Sequence, residues 1–229
     1  MEVINGLHKI DGIKYVNSYL LISKGGLVAV DTGMPGNAER IISYAEKLGY
    51  KSNDIKIIIL THSDIDHSGS AKRLRELTGA KIAISDFDAP RVEGKIELKK
   101  VKGPAAPFLR LMFRLSKFDT FEPDILLKDG DEIEGLKVIH TPGHTDGSIS
   151  LYNREKSFMF VGDLLWGDNA RGVKPPSSVV TPDMEVAWTS IGKILEFKCD
   201  IMLPGHGNPI MPDATKKVKE LLEKHSHNT

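Results

Sequence analysis

Residues 57–67 read Ile-Ile-Ile-Leu-Thr-His-Ser-Asp-Ile-Asp-His. An apolar run of this kind, ended by polar residues, is typical of a buried strand. Side chains that can bind a metal ion follow the run within six residues: His62, Asp64, Asp66 and His67. A helical pattern begins near Gly69, so the candidate ligands are predicted to lie on the loop that leaves a central strand. Open α/β sheets place their functional sites at such strand ends.

The first half of the chain alternates strands and helices around this loop. A hairpin is predicted over residues 13–30, because Gly25-Gly26 separates two apolar runs. A helix is predicted next, with Asn37 as its N-cap and apolar residues at helical spacing up to Leu48. This alternation, with buried strands, predicts an α/β layered fold.

The second half of the chain repeats this outline. A hairpin is predicted over residues 149–161, followed by a long irregular loop over residues 164–180. Thr181-Pro182-Asp183 is then expected to open a helix, with the proline at its first helical position. No low-complexity linker separates the halves, so a single domain over residues 1–229 is predicted.

Composition and charge exclude several classes of protein. The chain has 31 basic and 31 acidic residues and no net charge, whereas a general nucleic-acid binder normally shows a basic excess. No apolar run approaches the ~20 residues of a membrane span, and the N-terminal residues do not resemble a signal peptide. Cys199 is the only cysteine, which excludes an internal disulfide and a thiolate-rich metal site. We therefore expect a cytoplasmic protein with a small-molecule substrate, no nucleic-acid partner and no stable membrane insertion.

Residues 86–125 interrupt the alternation and read as a helical insertion. Between Arg91 and Phe118 the sequence holds eight basic and two acidic residues. Apolar and basic residues from Phe108 onwards separate onto different faces of a predicted helix. Three interpretations stay open: a surface helix packed on the domain, a lid over the active site, or an interfacial helix attracted to anionic partners. The same apolar face can also serve as a homodimer surface.

Further candidate ligands stand in short turns after apolar strands. His144 lies in Thr-Pro-Gly-His-Thr, Asp163 follows a glycine, and His206 lies in Pro-Gly-His-Gly. His140 adjoins one of these turns but is expected to be structural. Imidazole and carboxylate ligands together suit zinc, manganese or iron rather than a soft, thiolate-bound ion.

These residues resemble the metallo-β-lactamase-fold superfamily of hydrolases, including its glyoxalase II-like and lactonase-like members. The family pattern is His-x-His-x-Asp-His, then a distant His, a distant Asp and a late His between glycines. The matches follow the family's order over residues 30–207, and Asp31 matches an early Asp that supports the metal loop in the family. The matching ligands are His62, Asp66, His67, His144, Asp163 and His206.

The resemblance implies an αββα sandwich, in which two mixed β-sheets are flanked by helices, and a dinuclear metal site at one edge. By analogy the first metal takes His62, the residue at position 64 and His144. The second takes Asp66, His67 and His206, and Asp163 bridges the two. A metal-activated water is then the nucleophile, and Asp66 can accept or relay its proton.

Asp64 departs from the family pattern, which has a histidine at this position. Its carboxylate makes the first site more anionic, which favours iron or manganese more than an all-nitrogen site would. Aspartate is also shorter than histidine, so a dinuclear site with Asp64 as a ligand and a mononuclear site both stay open.

The resemblance predicts a hydrolase of small esters, thioesters or lactones that uses two divalent metals, with zinc expected and iron or manganese as alternatives. Two other functions are carried as alternatives. Flavodiiron proteins share the fold, have a carboxylate at the position of Asp64 and reduce oxygen or nitric oxide, and persulfide dioxygenases of the same fold use a single iron. A non-catalytic binding module would be expected to have lost its ligands.

Overall fold

The computed structural model describes residues 1–96, 119–169 and 172–227. The described residues fall into two compact units, residues 1–96 with 119–127, and residues 128–169 with 172–227. The helix predicted from Phe108 onwards lies outside the described residues, and the single domain over residues 1–229 stays a prediction.

The first unit is built on a seven-stranded mixed sheet. Its strands pair in chain order, antiparallel from β1 to β4 and parallel from β4 to β7. The strands are β1 (Glu2–Ile4), β2 (Leu7–Lys9), β3 (Tyr19–Ser23), β4 (Gly26–Val30), β5 (Ile55–Ile59), β6 (Lys81–Ser85) and β7 (Ile125–Leu127). The predicted hairpin is therefore confirmed as β3 and β4, although it begins later than expected.

Four α-helices belong to the described part of this unit: α1 (Ala38–Lys47), α2 (Ile65–Ser68), α3 (Ala71–Thr78) and α4 (Ala89–Val92). Ile41 of α1 and Leu74 of α3 pack on sheet residues such as Ile58, and all three are fully buried. Burial of each such side chain contributes about 1.5–3 kcal/mol. The helices therefore hold the sheet by the apolar stripe that their spacing predicts.

Asn37 is found at the predicted N-cap position of the first helix. Its side chain, however, makes no capping hydrogen bond to the helix. Instead its Nδ2 donates to the carbonyl oxygen of Met34, and its backbone N–H donates to the Ser70 hydroxyl. The side chain stabilises the preceding turn rather than the helix end.

The second unit is built on a six-stranded mixed sheet. The order β12-β11-β10-β9-β8 is antiparallel, and β13 pairs in parallel with β11. The strands are β8 (Glu132–Ile133), β9 (Leu136–His140), β10 (Ile149–Asn153), β11 (Phe158–Asp168), β12 (Gly172–Lys174) and β13 (Ile201–His206). Two described helices, α5 (Met184–Ile194) and α6 (Ala214–Ser226), cover its buried Ile139, Met159 and Met202.

Two predictions for the second unit are wrong in detail. The expected loop over residues 164–180 is partly sheet, because β11 runs on to Asp168 and pairs there with β12. Helix α5 begins at Met184 rather than at Pro182, because Asp183 is its N-cap and accepts a hydrogen bond from the Val186 N–H at 3.0 Å. An aspartate in this position satisfies an N–H group that the first helical turn leaves open.

The prediction of a layered α/β fold with two mixed sheets and helices is confirmed. None of the described helices combines the length and apolar character needed to cross a membrane.

Candidate metal centre

The first unit presents its candidate ligands on the segment Thr61–His67, here called the metal loop. The loop leaves the C-terminal end of β5, and α2 begins within it at Ile65. His62 and His67 are buried, whereas Asp64 and Asp66 are partly exposed. The strand therefore delivers two imidazoles into the interior and leaves two carboxylates facing outward.

Asp31, which follows β4, binds the metal loop at three points. Its Oδ1 accepts from the Thr61 N–H at 2.8 Å, and its Oδ2 accepts from the Thr61 hydroxyl at 2.8 Å. The same Oδ2 lies 2.8 Å from Nδ1 of His67. Asp31 is 2% exposed. The buried Asp31 carboxylate thus orients the imidazole of a candidate ligand in the way that metal sites require.

The hydrogen bonds around Thr61 determine which nitrogen His62 can offer to a metal. The Thr61 hydroxyl has one proton, which it donates to Asp31. Nδ1 of His62 lies 3.0 Å from the same hydroxyl oxygen, so that nitrogen must be the donor. Nε2 is then the nitrogen of His62 that can bind a metal ion. His67 has the same arrangement, because its Nδ1 donates to Asp31.

Within the metal loop, two ring nitrogens each lie at a distance from a carboxylate oxygen that one bound metal ion can span. Nε2 of His62 lies 3.8 Å from Oδ2 of Asp64, and Nε2 of His67 lies 3.9 Å from Oδ2 of Asp66. Both distances are too long for a hydrogen bond. Zinc ligands lie about 2.0–2.2 Å from the ion, so two of them are separated by up to about 4.3 Å. Each imidazole–carboxylate pair can therefore bind one ion.

The second unit brings together His144, Asp163 and His206. Oδ2 of Asp163 lies 3.5 Å from Nε2 of His144 and 3.2 Å from Nε2 of His206. Nδ1 of His144 lies 3.2 Å from the Thr181 hydroxyl, so this ring is also oriented through Nδ1. Asp163 is buried, and burial of a carboxylate is costly unless the charge is paired or binds a cation.

Helix α5 holds the turn that carries His144. Gly143 has φ +126°, and a Cβ on it would lie 2.5 Å from the backbone nitrogen of Ala187. The Ser190 hydroxyl donates to the Pro142 carbonyl at 2.8 Å. Only glycine allows the turn to approach the helix this closely, which explains its place directly before the histidine.

An irregularity in β11 positions Asp163. Gly162 pairs with Pro204 and Trp166 pairs with His206, so β11 advances four residues where β13 advances two. Asp163 lies within this irregular part of the strand. Bulges of this kind occur next to active sites, where they redirect a side chain.

Two residues near the ligands were not predicted from the sequence. The ring of Trp166 lies 4.6 Å from that of His206, and Lys174 Nζ lies 5.5 Å from the Trp166 ring centre. The position of Trp166 three residues after Asp163 is the signal that the sequence offers. Asp88 binds the metal loop through Ser63, and no motif marked it.

The comparison with known proteins agrees with this arrangement. The model of the metallo-beta-lactamase superfamily matches residues 11–206. Hydroxyacylglutathione hydrolase GloC of Haemophilus influenzae is 32% identical over 186 residues, which cover 78% of this chain and 79% of the relative.

Solved structures show the same fold. The metallo-beta-lactamase family protein TTHA1429 from Thermus thermophilus has a TM-score of 0.74 at 22% identity, and the match covers 98% of this chain and 81% of that protein. TTHA1623, crystallised in a di-iron-bound form, has a TM-score of 0.71 at 22% identity, with 92% and 96% covered. The chain belongs to the metallo-β-lactamase superfamily.

Proposed function

We propose that this protein is a metal-dependent hydrolase that acts on a small ester, thioester or lactone. It binds two divalent ions, and zinc is the metal that we expect. The observation that carries the proposal is the orientation of three imidazoles. Nδ1 of His62, His67 and His144 each faces a hydrogen-bonding oxygen, so each ring presents Nε2. Metal-binding histidines are oriented in this way.

The assignment of ligands to the two ions follows the family pattern. By that pattern His62, Asp64 and His144 would hold one ion, Asp66, His67 and His206 would hold the other, and Asp163 would be available to both. Within each unit, imidazole nitrogens lie close to carboxylate oxygens, and this supports the assignment. The order of the ligands in the family supports it as well. Three carboxylates among these ligands favour divalent cations with oxygen and nitrogen ligands.

Bound divalent ions supply a water whose pKa is lowered to about 7 and polarise the carbonyl oxygen of the substrate. Asp66 is partly exposed beside His67, and we assign it the transfer of the proton that this water loses. No cysteine nucleophile competes, since burial raises the pKa of the Cys199 thiol to about 11. A thiol with that pKa is protonated near neutral pH and reacts poorly.

The relative from H. influenzae supports an acyl substrate, because it is a hydroxyacylglutathione hydrolase. Attack of water on an acyl carbon is the step that esters, thioesters and lactones have in common. These three classes therefore form the panel on which activity is to be measured.

The test is hydrolysis of this panel before and after chelation, with two histidine variants as a matched pair. His144→Ala removes a proposed ligand, and we expect activity to fall about 100-fold or more. His140→Gln changes a nearby histidine whose Nε2 lies 2.7 Å from the Asp146 carbonyl, and we expect activity to stay within about twofold. Activity should be lost on chelation and return with zinc. Undiminished hydrolysis after complete removal of metal, or in His144→Ala, contradicts the proposal.

A second candidate is di-iron redox chemistry, and Asp64 is the observation that favours it. A carboxylate in place of the family's histidine makes the ligand set harder and more anionic, which suits iron. A protein of the same fold has been crystallised with two irons. Iron bound at purification, a visible absorption band and no hydrolysis of the acyl panel are the results that would favour this candidate.

A further inference from the structure

A second buried carboxylate besides Asp31 holds the metal loop. Asp88 has no exposed surface, and its Oδ2 accepts from the Ser63 N–H at 2.7 Å. Ser63 stands between His62 and Asp64. The hydrogen bond therefore holds the peptide group that joins His62 to Ser63, directly between two proposed ligands.

The order of the sheet explains why two carboxylates reach the same loop. Strand β5 lies between β4 and β6. Asp31 directly follows β4, and Asp88 comes three residues after the end of β6. The two side chains thus reach the metal loop from the two strands that flank β5. Asp31 binds Thr61 and His67, whereas Asp88 binds the peptide between them.

Asp88 contacts the metal loop and does not cap its own helix. Asp88 is at the N-cap position of α4, where an aspartate normally accepts from an N–H group of its own helix. Its side chain makes no such bond. The carboxylate turns to the metal loop instead, and Arg91 Nε lies 3.6 Å from its other oxygen. The Asp88 carboxylate thus accepts a hydrogen bond from a residue 25 positions away in the sequence rather than from its own helix.

The two peptide groups that flank Ser63 are each held by a hydrogen bond. The Ser63 N–H, in the peptide group shared with His62, donates to Asp88, and the Ser63 carbonyl, in the peptide group shared with Asp64, accepts from the Ser68 hydroxyl at 2.9 Å. These two bonds oppose rotation of the two peptide planes and so help to keep the directions of the His62 and Asp64 side chains. Ligand groups of a metal site tolerate displacements of only about 0.5 Å.

We propose that Asp88 is a positioning residue that fixes the directions of His62 and Asp64 and thereby strengthens metal binding at the first site. This inference rests on the proposed function, because it takes both side chains as metal ligands. Asp88 touches neither metal nor substrate. Its effect passes through the backbone of Ser63.

Asp124 provides a matched control in the same unit. Its Oδ2 accepts from the Ile82 N–H at 2.8 Å and lies 3.4 Å from Arg75. Asp124 thus makes the same two kinds of contact as Asp88, one with a backbone N–H and one with an arginine. It contacts no residue of the metal loop among the described residues.

The test compares zinc affinity of the wild type, Asp88→Ala, Asp88→Asn and Asp124→Ala by competition with a chromophoric chelator. Urea unfolding of the metal-free proteins is measured in parallel. We expect Asp88→Ala to weaken the first site about 10-fold or more, and Asp88→Asn to weaken it less, because the amide oxygen still accepts from Ser63. Asp124→Ala should lose stability while its zinc affinity stays within about twofold. Cobalt-substituted Asp88→Asn should show shifted visible absorption bands.

Zinc affinity in Asp88→Ala equal to that of Asp124→Ala would overturn the inference and leave Asp88 as a purely structural residue. If Asp88→Ala does not fold, unchanged zinc affinity and an unchanged cobalt spectrum in Asp88→Asn would overturn it equally. A wild-type protein that binds no metal defeats the proposed function, and the inference with it. Wild-type binding with an unaffected Asp88 variant defeats the inference alone.

Discussion

Asp31 shows how one side chain can set the chemistry of its neighbours. It accepts from Thr61 twice and from His67 once, all at 2.8 Å. Because the Thr61 hydroxyl gives its proton to Asp31, it must accept from His62. One carboxylate thus determines the protonated nitrogen of two histidines, which is the arrangement a metal site needs.

Asp31→Asn tests this arrangement without straining the backbone. Asp31 has φ +58°, a conformation that asparagine adopts as readily as aspartate. The amide offers one oxygen and one nitrogen, so at least one of the three donors loses its acceptor. We expect metal affinity to fall about 10- to 100-fold. Competition with a chelator measures this effect.

Asp131→Asn is the control for the Asp31 variant. Asp131 accepts from the Lys128 N–H at 2.8 Å in an exposed turn, and its substitution should leave affinity within about twofold. Wild-type affinity in Asp31→Asn would show that the carboxylate does not orient the histidines.

At the residue scale the sequence identifies the candidate ligands and one supporting residue, Asp31, but not Asp88. His62 and His67 stand in a recognisable spacing after an apolar strand, and Asp31 matches the family's early aspartate. Asp88 has no such mark, because its contact with Ser63 depends on the order of strands in the sheet. Long-range contacts of this kind become visible only with the fold.

At the scale of elements, β11 and β13 carry Asp163 and His206, and the two strands approach each other unusually closely. Gly167 and Gly207 lie backbone to backbone: a Cβ on Gly167 would lie 1.9 Å from the carbonyl oxygen of Asn208, and one on Gly207 would lie 2.1 Å from that of Gly167. These glycines adjoin Trp166 and His206, which pair across the two strands. The contact therefore sets the position of His206.

Gly167→Ala should separate the strands and weaken both stability and metal binding. A methyl group in this space has to displace the backbone, and overpacking costs about 1–3 kcal/mol. Urea unfolding of the metal-free protein measures the loss, and chelator competition should show weaker metal binding because His206 moves. If Gly167→Ala unfolded at the same urea concentration as the wild type, this result would contradict the close approach of the two strands.

Gly192→Ala is the control for the strand variant. Gly192 lies in α5, where the nearest atom to an added Cβ is Leu222 Cδ2 at 3.9 Å. Alanine should raise stability here by about 0.5–1 kcal/mol, because glycine is a poor helix former. A loss of stability in Gly167→Ala together with a gain in Gly192→Ala would show that the loss comes from the strand contact and not from the replacement of a glycine as such.

Most elements could be predicted from hydrophobic periodicity, but the end of β11 could not. The turn of the hairpin predicted within residues 149–161 is found between β10 and β11. Beyond Leu165 the chain has glycine, aspartate and proline, which normally indicate a loop. Pairing with β12 and β13 overrides that local signal.

At the scale of the whole molecule, the fold and family follow from the sequence, whereas the substrate does not. The ligand residues recur in a fixed order from 30 to 207, so few sites suffice to identify the family. Substrate choice depends on side chains around the centre, and these obey no spacing rule. Residues 86–125, for which a lid over the active site is one of the predicted roles, include residues 97–118, which lie outside the described part of the chain.

The central claim is that this chain binds metal through the residues named above. The most direct test is elemental analysis of protein purified without added metal, with Asp64→Ala measured beside the wild type. We expect about two divalent ions per wild-type chain and about one in the variant, because Asp64 is proposed to bind only the first ion. Less than about a tenth of an ion per wild-type chain, not recovered on reconstitution with zinc or iron, would contradict the account.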